Sequence, residues 1–281
     1  MKYLITGANG QLAKEFANYL EKNGQEFLAL TREQLDVCNL NNVLEVIESY
    51  KPSVILNCAA YNYVDLAETD YVNAFKINGL ALHNLSFACK KHNIFLVHYS
   101  TDYVFDGEKN DYYIEEDTTN PLNTYGKTKL IGEKLINSGL KDYLIFRVSW
   151  LYGRGKNNFL SKILEWSKEM NTLRIAYDEF SIPTSTKFVV ENTLKAINCG
   201  IKGTYHLTPR GYASRCEIAK TFLNLVGINK FVLPVSSKVF NTPAVRPKFS
   251  AMSSKKISQL LNVDFSAWDK ELKQTYQEYF K

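Results

Sequence analysis

Two side chains near the middle of the sequence, Tyr125 and Lys129, have the types and the spacing that suit proton transfer. On a helix, residues four positions apart share one face and lie about one turn from each other. A phenol of ordinary pKa, about 10, exchanges protons slowly at neutral pH unless its phenolate is stabilised. A lysine ammonium about 4 Å away contributes on the order of 4 kcal/mol at an effective dielectric constant near 20, enough for about three pKa units. The pair therefore predicts a phenol that donates a proton.

A hydroxyl that precedes this pair in the sequence suits the same reaction. Thr101 ends an apolar run and is followed by Asp102. In open α/β sheets, ligands bind at the carboxyl ends of parallel strands. The hydroxyl can donate a hydrogen bond to a substrate carbonyl as negative charge develops there. Together with Tyr125, it predicts hydride transfer to a carbonyl group.

The start of the sequence predicts a site for the dinucleotide that such a reaction needs. An apolar strand leads directly into the turn from Gly7 to Gly10, and a helix follows from Gln11. Gly7 permits a tight turn, Gly10 permits close approach of a pyrophosphate, and the helix N-terminus offers free N–H groups. Ala13 stands where a third glycine is usual. The strand-turn-helix context makes this two-glycine pattern an indication of dinucleotide binding.

The end of the second predicted strand bears on the choice of cofactor. An Asp or Glu there would bind the 2′-hydroxyl of NAD, but the sequence reads Leu30-Thr31-Arg32. Arg32 can face the 2′-phosphate of NADPH as a planar donor fork, or it can be a solvated surface residue. We expect NADPH as the cofactor, with NADH as the alternative.

The elements that must position these residues alternate between strand and helix. Apolar strands at 3–6, 26–30, 53–57, 94–98 and 143–148 are separated by helical patterns at 11–22, 41–50, 70–91 and 124–137. This rhythm predicts an α/β fold, a Rossmann-type doubly wound parallel sheet with a smaller C-terminal α/β substrate domain. Residues 1–150 should form the dinucleotide-binding domain, with 172–207 returning to it. Residues 151–281 should be mainly a substrate-binding lid.

Composition excludes several other classes of protein. Of 281 residues, 45% are hydrophobic and 22% charged, which is typical of globular chains rather than disordered or coiled-coil ones. The net charge of +5 is scattered, so no nucleic-acid partner is expected. No apolar run approaches the roughly 18 residues of a membrane span. Five cysteines without a Cys-x-x-Cys motif indicate neither a disulfide framework nor a metal site, so we expect a cytoplasmic protein.

Several runs resemble one family along nearly the whole chain. The turn from Gly7 to Leu12 and the run from His98 to Phe105 look like an extended short-chain dehydrogenase/reductase. More narrowly, they resemble the dTDP-4-dehydrorhamnose reductase family, and so do the runs 64–68, 121–129, 147–152, 183–185 and 242–247. The resemblance implies NADPH- or NADH-dependent reduction of the 4-keto group of a nucleotide sugar, dTDP-4-dehydro-β-L-rhamnose, to dTDP-L-rhamnose.

The resemblance also implies roles for individual residues. Thr101, Tyr125 and Lys129 would form the catalytic triad, and Lys129 would also hold the nicotinamide ribose. The substrate would contact Thr101, Asp102 and Trp150, with Arg246 at its diphosphate. Cofactor contacts follow the chain from the pyrophosphate to the adenine and then to the nicotinamide: Gly10, Gln11 and Leu12, then Asp36 and Val37, then Ala59, Ala60 and Tyr61.

Structural alternatives stand beside these roles. Trp150 can be a core residue, Asp36 can initiate the helix near Asn39, and Arg246 can pair with a surface acid. We expect His98 and His206, which lie in apolar strands, to be hydrogen-bonded core residues. Ile182 stands where the family commonly has a small residue, which puts the identity of the sugar in doubt before the type of reaction. The resemblance leaves open a homodimer and magnesium between subunits, although no ligand spacing indicates a metal.

Three competing functions share part of the pattern. Sugar-nucleotide 4,6-dehydratases use an Asp with a following Glu for acid–base elimination, but Tyr103 follows Asp102 here. A nucleotide-sugar 4-epimerase, which retains its cofactor, is excluded less firmly. The third is a regulatory subunit without activity, like the reductase-like β subunit of methionine adenosyltransferase. The presence of Thr101, Tyr125 and Lys129 together disfavours it.

Overall fold

The computed structural model describes residues 1–155 and 158–280, and strands and helices alternate along its first half. The strands are β1 (Lys2–Thr6), β2 (Glu26–Leu30), β3 (Val54–Asn57), β4 (Phe95–Thr101), β5 (Tyr143–Val148), β6 (Leu151–Tyr152), β7 (Thr172–Ala176), β8 (Phe180–Ser181), β9 (Thr184–Ser185), β10 (Gly203–His206), β11 (Ala213–Ser214) and β12 (Phe231–Val235).

The helices fill the intervals between these strands. They are α1 (Gln11–Lys22), α2 (Leu40–Tyr50), α3 (Tyr71–Phe75), α4 (Ala81–His92), α5 (Thr124–Gly139), α6 (Phe159–Glu169), α7 (Thr186–Asn198), α8 (Arg215–Val226), α9 (Lys255–Leu261) and α10 (Trp268–Phe280). Between α3 and α4 the helical run continues as a π-helix at Lys76–Leu80, so the helix predicted over 70–91 is one run with a wider turn inside it. Such turns frequently lie at functional sites.

Six parallel strands form the central sheet, in the order β2-β1-β3-β4-β5-β10. The strand order reverses direction between β1 and β3, where the crevice at the carboxyl edge of an open α/β sheet binds ligands. The predicted Rossmann-type parallel sheet is confirmed. The crevice lies beside the ends of β1, β3 and β4, which are the strands that lead into the predicted cofactor and catalytic residues.

Alternate residues of each central strand pack on opposite faces of the sheet, which is why the strands read as continuous apolar runs. In β1, Ile5 packs with α1 and α7, whereas Leu4 packs with α2 and α4. In β5, Phe146 belongs to the same core as Ile5, and Ile145 belongs to the same core as Leu4. Helices therefore cover both faces, and they hold the strand ends in fixed relative positions.

The second core lies in the C-terminal half, between α6, α8, α10 and a two-stranded parallel sheet of β7 and β12. Within residues 172–207, which were expected to return to the dinucleotide-binding domain, β7 lies outside the central sheet. Its neighbour is β12, and α8 packs against both strands. The structure places α7 against α1 and β10 beside β5. The proposed division into domains otherwise stays a prediction.

Two findings concern membrane proteins and disulfide-rich proteins, two of the classes considered from the composition. In the described part of the chain, no helix has the length and hydropathy that crossing a bilayer requires. All five cysteines are free thiols. The cytoplasmic location stays a prediction.

Candidate active site

The turn after β1 has the geometry of a phosphate-binding turn. Gly7 has φ +66°, and a Cβ there would lie 2.9 Å from the backbone N and Cα of Ala59. Gly10 is the N-cap of α1, with no side-chain cap and no acidic residue in the first turn. The first N–H groups of α1 therefore face the crevice end without an internal acceptor, and this arrangement fits a dinucleotide diphosphate. Ala13 is fully buried where the third glycine is usual.

The loop after β3, predicted to contact the nicotinamide side, is fixed by buried polar groups. The backbone N–H of Ala59 donates to the Thr6 hydroxyl at 3.1 Å. The Asn78 amide receives the backbone N–H of Tyr61 at 2.9 Å and donates to its carbonyl oxygen at 3.0 Å. The Tyr61 phenol donates to Asp70 at 3.0 Å. Ala59 and Ala60 thus present backbone and methyl groups at the crevice, while the side chain of Tyr61 is already engaged.

The residues predicted for the adenosine end lie beyond β2. Arg32 is exposed just past the carboxyl end of that strand. Asp36 accepts the backbone N–H of Cys38 at 3.0 Å, and Val37 is buried in the core. Asn39, rather than Asp36, is the N-cap of α2. The side chain of Asp36 therefore shapes a turn, and Arg32 is the exposed cation at this end of the crevice.

The predicted catalytic residues lie at the end of β4 and in the first turns of α5. Thr101 is the last residue of β4, and Tyr125 follows the start of α5 by one position. The helix begins there because Asn123 caps it by accepting the N–H of Gly126 at 2.8 Å, while Glu68 accepts the N–H and the hydroxyl of Thr124. The structure thus places the Thr101 hydroxyl close to the Tyr125 phenol.

The acidity of Tyr125 departs from the sequence prediction. Burial raises its pKa above the ordinary phenol value, a hydrogen bond with Thr101 opposes that shift, and Asp102 and Tyr103 add to it. Lys129 is not among the groups that shift it. The predicted lowering of the pKa by the lysine is therefore wrong for this arrangement, because the ammonium is directed to the sheet.

Lys129 is 2% exposed and is held by β4. Its Nζ donates to the carbonyl oxygen of Tyr99 at 2.5 Å and lies 3.3 Å from Nε2 of His98. Burial lowers the pKa of Lys129 to about 8, against the opposing attraction of Glu133 one turn further along α5. The ammonium is thus charged at neutral pH and close to losing its proton.

A chain of buried polar side chains joins Lys129 to the phosphate-binding turn. Thr6 donates to Asn57 Oδ1 at 2.6 Å, and Asn57 Nδ2 lies 3.0 Å from Nδ1 of His98. The three residues are in register across β1, β3 and β4, so their side chains project from the same face of the sheet. The expectation that His98 is a hydrogen-bonded core residue is confirmed, and His206 likewise contacts Arg147.

Asp102 is a carboxylate enclosed by hydroxyl groups. Its Oδ2 accepts from Ser250 at 2.6 Å and from Ser181 at 2.8 Å, and its Oδ1 accepts from Thr101 at 3.1 Å. Burial raises its pKa to about 6, although all three hydrogen bonds oppose the shift. Asp102 is only 2% exposed. Because Ser181 and Ser250 belong to the C-terminal half, the side chain of Asp102 joins β4 to that half. The predicted contact of Asp102 with the substrate is untested, and its carboxylate oxygens are already occupied here.

The remaining two predicted substrate residues have different surroundings. Trp150 lies just beyond β5 with φ +41°, a strained conformation for a bulky residue, and its indole Nε1 is buried without a partner among the described residues. Arg246 forms a two-bond ion pair with Asp65 at 2.7 and 3.1 Å. This is the alternative that the sequence left open, so binding of a diphosphate by Arg246 would require that pair to open.

Sequence reasoning missed two groups that organise the site. Asn78 fixes the loop after β3, and an amide within the apolar face of the helical pattern at 70–91 was the available signal. Glu133 forms a buried ion pair with Arg147 on β5, the closest bond being 2.8 Å. Glu133 follows Lys129 by four residues on the same helix. This spacing could have indicated that the Glu133–Arg147 ion pair lies beside Lys129.

The sheet, the glycine turn and the Thr–Tyr–Lys cluster define a nucleotide-binding α/β oxidoreductase of the short-chain dehydrogenase/reductase type. Among the residues the structure describes, no group of three or more His, Cys, Asp or Glu side chains is placed to hold a metal ion.

Comparison with known proteins agrees with this class. The chain belongs to the family described as the RmlD substrate binding domain, whose model matches residues 1–281. A dTDP-4-dehydrorhamnose reductase of Burkholderia thailandensis is 34% identical over 95% of both chains. The structure of such a reductase from Clostridium acetobutylicum has a TM-score of 0.95 and 37% identity over 99% of both chains. The Bacillus anthracis reductase, solved in complex with NADP, has a TM-score of 0.95 and 33% identity over 99% of this chain and 100% of its own.

Proposed function

We propose that the chain catalyses the NADPH-dependent reduction of dTDP-4-dehydro-β-L-rhamnose at its 4-keto group, giving dTDP-L-rhamnose. Family membership and full-length similarity to reductases of this name support the proposal. The NADP complex of the Bacillus anthracis relative supports the choice of cofactor. The observation that carries the reaction type is the position of Thr101 and Tyr125, close together at the carboxyl edge of the sheet on which the glycine turn also opens.

The residues present fit a dinucleotide along the crevice. The uncapped N-terminus of α1 would hold the diphosphate, and Arg32 would face a 2′-phosphate. Lys129 would hold the nicotinamide ribose. Bound NADPH supplies the hydride for the reaction.

The chain's own part in the reduction is proton donation and charge stabilisation. The Tyr125 hydroxyl donates its proton to the ketone oxygen as that oxygen gains negative charge. Its raised pKa keeps the phenol protonated before the reaction, as a proton donor requires. Thr101 directs its hydroxyl at the same oxygen once it is released from Asp102.

The test is oxidation of NADPH, followed at 340 nm, with a panel of nucleotide-activated 4-keto sugars. We expect one NADPH consumed for each dTDP-4-dehydro-β-L-rhamnose reduced, with slower turnover of other sugars and with NADH. Conversion of sugar without net oxidation of NADPH would favour the 4-epimerase. Binding of NADPH without turnover of any sugar would favour the regulatory subunit.

Two further tests concern a magnesium ion and the oligomeric state of the chain. Parallel assays with added magnesium and with a chelator test whether the metal matters. Light scattering coupled to size exclusion tests whether the chain forms a homodimer. Neither outcome alters the assignment of the reaction.

A further inference from the structure

We propose that Arg215 binds the diphosphate of the nucleotide-sugar substrate, an inference that rests on the proposed function and adds a residue to its site. Sequence reasoning did not identify this residue. Its position, its anchoring and the donors it leaves open point to a phosphate ligand.

Arg215 is held by three neighbours. Its Nε donates to Glu179 at 2.9 Å, and Glu179 is itself 8% exposed. The guanidinium carbon lies 4.2 Å from the centre of the Trp150 ring and 5.1 Å from that of Phe159. A guanidinium stacked on aromatic rings and anchored at one edge loses little further freedom when it binds a ligand.

The other edge of the guanidinium is open. In the described parts of the chain, neither terminal nitrogen of Arg215 makes a hydrogen bond, whereas both terminal nitrogens of Arg246 bond to Asp65. Two parallel N–H donors match two oxygens of one phosphate group. Unlike Arg246, Arg215 therefore has two terminal nitrogens that are available without breaking an ion pair.

Arg215 lies at the carboxyl edge of the sheet, where the catalytic residues also lie. Trp150, beneath the guanidinium, stands two residues past Val148, the partner of Thr101 in the β4–β5 ladder. Glu179, which anchors Arg215, stands two residues before Ser181, whose hydroxyl donates to Asp102 at 2.8 Å. The ring of Tyr103 meets that of Tyr125 edge-on at 6.1 Å. The guanidinium thus lies within the neighbourhood of the proposed proton donor.

The strain at Trp150 supports a ligand at this position. A tryptophan with φ +41° and a buried, unpartnered indole N–H is costly unless the surroundings require it. Its ring serves as the platform on which Arg215 rests. An indole N–H that finds an acceptor when substrate binds would account for both features.

The experiment compares binding of thymidine, dTMP, dTDP and UDP to the NADP-loaded enzyme by calorimetry. In Arg215→Gln we expect dTDP and UDP to bind about 10- to 100-fold more weakly, the loss of a charge-assisted hydrogen-bond pair. Thymidine should bind with unchanged affinity, and so should NADP itself. Arg215→Lys should give an intermediate loss. The matched control is Arg210→Gln, which removes an arginine whose ion pair with Asp264 is exposed.

Three results would overturn the proposal, two of them seen in Arg215→Gln and one in the wild-type chain. One is unchanged affinity of Arg215→Gln for both diphosphates. The other is an equal loss for thymidine and dTDP, which would indicate general distortion of the fold. UDP carries the same diphosphate on a different nucleoside. The effect of Arg215 on diphosphate binding can therefore be measured even if the base or the sugar of the substrate differs from the proposed one. A wild-type chain that binds no nucleoside diphosphate would also overturn it.

Discussion

Asp102→Asn should make the folded protein more stable at pH 7 and above. The carboxylate is 2% exposed and has three hydroxyl donors but no hydrogen-bonded cation in the described structure. Its ionisable neighbours are Tyr103 on its own turn and Tyr125 from α5, with Glu179, Arg215 and Arg246 beyond Tyr103. Because burial outweighs the hydrogen bonds, the ionised form is disfavoured in the fold.

The size of the effect follows from the pKa, which rises from 3.8 to about 6. Each unit is worth about 1.4 kcal/mol, so ionised Asp102 costs on the order of 3 kcal/mol of folding free energy. The sign follows from proton binding. Between pH 4 and 6 the folded chain binds more protons than the unfolded chain, so this cost grows as pH rises and is complete above pH 6. An asparagine, which has no charge at any pH, lacks that cost.

The assay is urea unfolding of both proteins from pH 4 to 8, comparing their free energies of unfolding. We expect the difference in favour of Asp102→Asn to grow up to about pH 6 and then stay level. Asp142→Asn, which changes an exposed carboxylate paired with Lys202, serves as the control and should show no such dependence. A difference that is constant from pH 4 to 8 would refute the account of Asp102.

Four other outcomes can be checked on the same protein. Tyr125→Phe should lower kcat at least about 100-fold, the scale of lost general acid catalysis, with NADPH affinity nearly unchanged by fluorescence titration. Because the pKa of Lys129 is lowered to about 8, kcat/KM should fall as pH rises through that value, and Lys129→Arg should remove this limb of the profile. Arg32→Ala should raise the KM for NADPH about 10-fold or more and leave the KM for NADH unchanged. Gly7→Ala should abolish NADP binding in calorimetry, since its φ of +66° and the backbone of Ala59 leave no room for a methyl group.

Local patterns were sufficient to predict the sheet and the cofactor turn. Period and turn chemistry act over a few residues, so the strand into Gly7 and the helix from Gln11 follow directly from the sequence. The four-residue spacing placed Tyr125 and Lys129 on one helix, as the structure has them. It did not predict the direction of the lysine, because that is set by Tyr99 and His98 on another element.

Contacts between distant segments could not be predicted. The partners of Asp102, Ser181 and Ser250, lie 79 and 148 positions away, and the partner of Arg246 lies 181 positions away. Such pairs are decided by how the two halves pack rather than by any local spacing. The same holds for the pairing of β7, whose partner β12 lies much further along the chain.

The site concentrates buried charges that weaken the fold. Burial moves the pKa of Asp102 up to about 6 and that of Lys129 down to about 8, so each ionised group costs on the order of 3 kcal/mol at neutral pH. By contrast, the buried Glu133, one turn from Lys129, is fully paired with Arg147. The ionised carboxylate of Asp102 accepts the hydrogen of the Thr101 hydroxyl. This is the hydrogen that we propose Thr101 donates to the ketone oxygen of the substrate. We therefore expect protonation of Asp102 to release that hydrogen and to allow Thr101 to donate it to the substrate.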